Sequence, residues 1–261
     1  MKNVSNEIAL IVGNMSHGTT NLIRAESAVS LGVKAYAQYK LFGQTLYITT
    51  THISILIVLV TILIFCIIAN RAIKKADPNE VPGPFLNAVE LIVESIDKLV
   101  ASNMGEKHAP KFVNYIGTLA TFILVSNFSG LFGLRPPTAD YGVTLPLALI
   151  TWVMIQFNGF KYQKMGKIKG LFEPIFLFFP INLIGEFATP VSMSLRLFGN
   201  ILSGTVMLTL VYDLIPRIGT LIWPAALHAY LDVLSGVIQT FVFIMLTMVF
   251  VANAIGDEAS A

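Results

Sequence analysis

Apolar runs separated by short polar or proline-rich breaks set the plan of this 261-residue chain. Residues 53–69 carry no charge and are rich in Ile, Leu and Val, enough for a first spanning segment at about 20 residues per crossing. Residues 112–134, interrupted by Asn114, Asn127 and Ser129, form a second, and 143–160 a third with Gln156 and Asn158 near its end. Between them, after the breaker VPGP, residues 85–103 alternate with helical period. Phe85, Val89, Ile92, Ile96 and Leu99 fall on one side, with Glu90, Glu94, Asp97 and Lys98 opposite. That pattern predicts an amphipathic helix lying in the membrane interface; a helix packed on a soluble partner is the lesser alternative. From 171 to 254 the chain is nearly continuous apolar sequence, divided only by Asp213-Leu214-Ile215-Pro216-Arg217. Its halves, 171–212 and 217–254, exceed what a crossing needs, so they must tilt strongly or bend. They read as a hairpin, the first arm the more broken one because it holds Pro174, Pro180 and Pro190. The expected architecture is an all-α integral membrane protein. It has about five membrane helices plus one interfacial helix, the last two long, and residues 1–261 form one membrane domain. Residues 1–51 are expected to lie outside the membrane with weak helical tendency.

Composition agrees. The chain is 55% hydrophobic and 12% charged, against about a quarter charged in soluble domains. Arg71, Lys74 and Lys75 directly follow the first span, and Lys161, Lys164, Lys167 and Lys169 follow the third without an intervening acid. Short loops rich in Lys and Arg stay cytoplasmic, which puts the N-terminus outside and the C-terminus in the cytoplasm. The four lysines need no further role than that. The single cysteine, Cys66, excludes an internal disulfide. No phosphate-binding loop, CxxC pair or nucleophile elbow is present, and no basic run suggests nucleic acid.

Chemistry concentrates in the last two helices. Arg196 is the sole Lys or Arg between Lys169 and Arg217, and a cation within a membrane-length run faces a partner or water. At roughly 100° per residue, Thr189, Arg196 and Ser203 share one line of a helix, with Ser192 and Asn200 a step to either side. Snorkelling, or a structural pair with Glu186, is the plainer alternative to a fixed charge on an ion path. On the second arm His228, Asp232, Ser235 and Gln239 follow at i, i+4, i+7 and i+11, one face of a helix. Polar groups that dense in apolar surroundings need each other or water. One His and one Asp make a poor metal site, and no cofactor is expected. Such a face suits ion transfer: a guanidinium cannot relay protons, but it favours ionisation of a nearby carboxyl and repels leaking cations.

The run SLRLFGN at 194–200, preceded by Pro190-Val191-Ser192 and Glu186, resembles the signature of subunit a of the F-type ATP synthase, and the looser likeness extends from 85 to 254. That resemblance implies an ion-translocating stator subunit, for protons, with no nucleotide site of its own. Two offset half-channels would lead to carboxylates on a rotating c-ring. The implied partners are the c-ring, the b subunits of the peripheral stalk, the soluble F1 ATPase and the lipid bilayer of a bacterial plasma membrane. Arg196 would separate the half-channels, with Asn200 beside it and Gln239 facing it. Glu186 and Ser192 would mark the cytoplasmic access side, Asn127 and Asp140 the outer one. Two positions depart from the family pattern: Thr205 stands where a glutamate is common, and Asp232 where some members have histidine. At these departures the hypothesis is that the acid has moved from one helix to the other, as Asp232, with His228 one turn away supplying the imidazole. A stand-alone secondary transporter or channel using Arg196, Glu186 and Asp232 is the alternative. It sits poorly with the lack of two related halves. A third reading is a scaffold whose polar stripe only glues helices.

Overall fold

In a computed structural model, residues 35–41, 44–76, 83–172, 176–214 and 229–256 are described. The chain divides into two compact units, Met1–Ile53 and Ser54–Ala261.

In the first unit, strands β1 (Ala35–Leu41) and β2 (Gln44–Thr49) pair antiparallel, with Leu41 opposite Gln44 and Tyr39 opposite Leu46. This departs from the helical tendency expected for residues 1–51. The two segments are rich in Tyr, Thr and Leu and are separated by Phe42-Gly43, a composition that favours a hairpin.

The second unit is helical throughout its described residues. Among the described residues, four helices are long and apolar enough to cross a membrane. Helix α1 (Thr50–Lys75), which begins in the first unit, extends the 53–69 span at both ends. It exposes Leu56, Leu59, Leu63, Ile64 and Ile68, an apolar surface suited to lipid on a helix whose interior backbone groups pair within it. Helix α2 (Pro84–Met104) starts with proline in its first turn, as that position allows, and buries Val89, Val100 and Met104 while its acids stay exposed. It packs on α3 (Ala109–Phe128) and on α7 (Ser235–Ile255). After α3 a 3₁₀ turn, Ser129–Phe132, ends at Gly133, whose φ of 70° is the left-handed cap that glycine supplies.

Asp140 caps α4 (Tyr141–Gln163), accepting a hydrogen bond from the Gly142 amide at 2.9 Å. Next to it, burial pushes the pKa of Arg135 down while the Asp140 carboxylate pulls it back up; a guanidinium stays charged under both influences. Short α5 (Met165–Phe172) follows, and α6 runs from Phe179 to Leu214. The first arm of the expected hairpin therefore starts at 179 and not at 171. Pro180 fits the first turn of a helix and not its interior. At 1.5 Å per residue, the 36 residues of α6 measure about 54 Å, well beyond a hydrocarbon core of about 30 Å. A π-helical turn, Ala229–Leu234, leads into α7. The tip of the hairpin, 215–228, lies outside the described residues.

The core lies between α2, α3, α4 and α7, where Val100, Met104, Ile116, Ile123, Phe243 and Met248 are fully buried. Tyr115 on α3 and Thr151 on α4 join by their hydroxyls at 2.8 Å. Helix α6 packs along α4 and α7, which fixes one side of it and leaves the other open.

Candidate functional site

Pro190, buried inside α6, has no N–H to give the carbonyl one turn back, which belongs to Glu186. Trp152 of α4 fills that place: its Nε1 donates to Glu186 O at 2.9 Å. One turn along α4, Gln156 Nε2 donates to Glu186 Oε2. The other carboxylate oxygen, Oε1, takes the ammonium of Lys167 at 2.7 Å. Lys167 reaches it because Lys164, at φ 50°, turns the chain sharply after α4 and brings α5 back along it. Gly159 clears the way, since a Cβ there would sit 3.1 Å from the Lys167 stem. With side chains 13% and 27% exposed, Lys167 and Glu186 form a sheltered ion pair.

The pair lies on the wall of a cavity of about 600 Å³ between α4, α5, α6 and the end of α7. A second cavity, about 220 Å³, holds Ser192 and Arg196. Gly185, Thr189 and Phe250 border both. A run of polar positions on α6 therefore leads from Glu186 through Thr189 and Ser192 to Arg196.

Arg196 is exposed in the middle of α6, and among the described residues no carboxylate pairs with it. Around it Leu195 and Asn200 are also exposed, and a Cβ on Gly199 would meet nothing within 4 Å. Asn200 Nδ2 donates across to Gln239 Oε1 on α7. Gln239 is only 4% exposed, and its Nε2 has no hydrogen-bond partner among the described residues. Arg196 and Ser192 thus share one cavity, and Asn200 and Gln239 share a hydrogen bond.

The other expected residues are placed differently. Asn127 is 4% exposed. It accepts from Thr138 Oγ1 at 2.8 Å and donates through Nδ2 to Gly236 O at 3.1 Å and to Thr240 Oγ1 at 3.5 Å. Asp140 is the α4 cap. Asp232 lies in the π-helical turn, a feature frequent at functional sites, but its side chain and all of His228 lie outside the described residues.

Sequence reasoning missed Lys167, read as a loop charge, and did not connect Trp152 and Gln156 to Glu186. One signal was available: Pro190, four residues after Glu186, leaves a carbonyl needing a donor, and Trp152 and Gln156 are one turn apart on the neighbouring span.

Residues 52–252 match the family described as ATP synthase A chain. The chain is 43% identical over 185 residues to the sodium ion specific ATP synthase subunit a of Propionigenium modestum; the match covers 64% of this chain and 62% of that one. It is 31% identical over 259 residues to the chloroplastic ATP synthase subunit a of Stigeoclonium helveticum, covering 94% and 99%. To the ATP synthase subunit a of Trichlorobacter lovleyi it is 35% identical over 205 residues, covering 77% and 84%.

Proposed function

Because the chain belongs to the ATP synthase A chain family, and so is a multi-pass membrane subunit of ATP synthase and no enzyme by itself, we propose that it conducts the coupling ion through the membrane sector. In this reading it offers two offset half-channels to the carboxylates of a rotating c-ring, and Arg196 keeps them apart. The observation that carries the reading is the pair of adjoining cavities, which link the Lys167–Glu186 pair to Arg196 along one face of α6. The exposed strip around Arg196, Gly199 and Asn200 is the side on which the ring would turn. There the fixed guanidinium makes an arriving ring carboxyl give up its ion and blocks direct passage of cations.

Glu186 and Ser192 belong to the cytoplasmic access path in this proposal, and Asn200 and Gln239 brace the crossing point. On the outer path Asp232 and His228 supply the ion-binding groups, with Asn127 and Asp140 holding the neighbouring helices. The b subunits and the soluble F1 ATPase are the further partners. The protein sits in a bacterial plasma membrane with its N-terminus outside and C-terminus in the cytoplasm, as the lysines at the end of α4 and in α5 suggest. The proton is the ion proposed. Sodium is a second reading, favoured by the relative from Propionigenium modestum, whose name states that specificity.

ATP-driven ion uptake into vesicles carrying the reassembled synthase, with and without sodium, tests this. Arg196→Ala and Arg196→Lys should both lose ion-coupled ATP synthesis, with Ala the leakier. Normal coupling in Arg196→Ala would return the residue to a structural role. Co-purification without a soluble ATPase and a ring of small hydrophobic chains would favour the lone transporter.

A further inference from the structure

We propose that Lys167 is a tethered competitor cation, whose ammonium holds the place at Glu186 that a transported cation takes on its way past the mouth of the path. The inference rests on the function proposed above and adds a residue to it.

The two carboxylate oxygens of Glu186 are held unlike one another. Oε2 accepts from the neutral amide of Gln156, which orients the group without offsetting its charge. Oε1 faces the Lys167 ammonium at 2.7 Å, so this is the oxygen where a cation belongs. Lys167 and Glu186 are the charged residues among those described on the cavity wall; the others there, such as Asn182, Gln163 and Asn253, are neutral. Among the described residues no second acid on that wall shares the ammonium. An exposed ion pair contributes little and exchanges with solvent charges readily, but this one is sheltered, and screening by salt is weaker there.

A lysine suits the role. Its ammonium is a compact point charge on a flexible stem, and that stem lies where a Cβ on Gly159 would crowd it. An incoming cation displaces the ammonium from Oε1, and the ammonium returns when the cation moves on toward Thr189 and Ser192. Occupancy by a cation is thereby kept low, so ions pass and are not held. Removing the positive charge should make the mouth bind cations more tightly. The bland reading is that Lys167 only staples α5 to α6.

The two are separated by measuring ATP-driven ion uptake by the reconstituted whole synthase against coupling-cation concentration on the side bearing the soluble ATPase. Lys167→Gln should lower the half-saturating concentration by about threefold or more, since a neighbouring positive charge disfavours a second one. Lys167→Arg should stay near the parent. With Glu186→Gln as background, Lys167→Gln should add no further shift. If Lys167→Gln impairs assembly, Lys167→Cys in a Cys66→Ala background can be modified after assembly. An aminoethyl group should then restore the parent half-saturation, and a neutral group of similar size should not. A half-saturation unmoved by loss of the charge, or restored equally by the neutral group, overturns the proposal. Should that happen while Arg196→Ala still abolishes coupling, only the role of Lys167 falls and the ion path stands.

Discussion

Polar side chains on α6 line cavities, whereas those that join α3 to α7 fill one another's needs. From Glu186 to Arg196 the hydroxyls and charges border open volume. At the other contact, Asn127 is used up by Thr138, Gly236 and Thr240, and Gly236 exists where a Cβ would come within 3.0 Å of Asn127 Cβ. The residue types are similar, so chemistry alone does not separate a path from a joint. What separates them is whether the polar side chains border room for an ion or water, as on α6, or are enclosed by protein, as in the joint.

That contrast is most severely strained by closing the joint. Gly236→Val forces a branched side chain against Asn127 and should cost about 1–3 kcal/mol, as overpacked cores do; thermal dissociation of the purified complex would register it as earlier loss of this subunit. If Gly236→Val were neutral, the joint would not be tight. Asn127→Leu should follow, at roughly 1 kcal/mol, the scale of polar contacts between membrane helices. Here the discriminating readout is transport, because a joint weakens stability while the ion affinity of assembled complexes stays unchanged. A changed affinity would move Asn127 into the path.

Trp152→Phe removes the donor to the Glu186 carbonyl left open by Pro190. A loss of about 0.5–1.5 kcal/mol is expected, and Pro190→Ala in the same chain should recover most of it by restoring the helix bond. The smallest effect is a gain. Lys164 holds a φ of 50°, in the region where a side chain is strained and glycine is not. Lys164→Gly should therefore be neutral or raise stability by a few tenths of a kcal/mol, once the extra chain entropy of glycine is set against the relieved strain.

Much of this was legible in the chain itself. Charge-free runs long enough to span placed α1, α3 and α4 with ends up to six residues off, and the 3.6-residue period placed α2 within a residue at each end. The stripe of Thr189, Ser192 and Arg196 followed from spacing alone, because a lone cation in an apolar run leaves few options. The hairpin of β1 and β2 was lost for a physical reason: its segments are short and mixed, and strand pairing joins residues that periodicity treats separately. Lys167 was hidden because a lysine in a basic loop looks solvated, and only the sharp turn at Lys164 and the notch at Gly159 bring it to Glu186. The satisfied state of Asn127 was equally out of reach, as two of its partners, Gly236 and Thr240, lie 109 and 113 residues away on α7.

The central claim is that water reaches Arg196 from the lysine-rich end along α6, and thiol labelling tests it most directly. In a Cys66→Ala background, single cysteines at Thr189, Ser192 and Thr240 would be exposed to a small water-soluble thiol reagent in vesicles carrying the assembled synthase. The reagent would be added on the side bearing the soluble ATPase. Cysteines at 189 and 192 should react rapidly and that at 240 should not, since Thr240 is buried in the joint. Unreactive thiols at both 189 and 192 would mean that the two cavities carry no water, and the path from Glu186 to Arg196 would be contradicted.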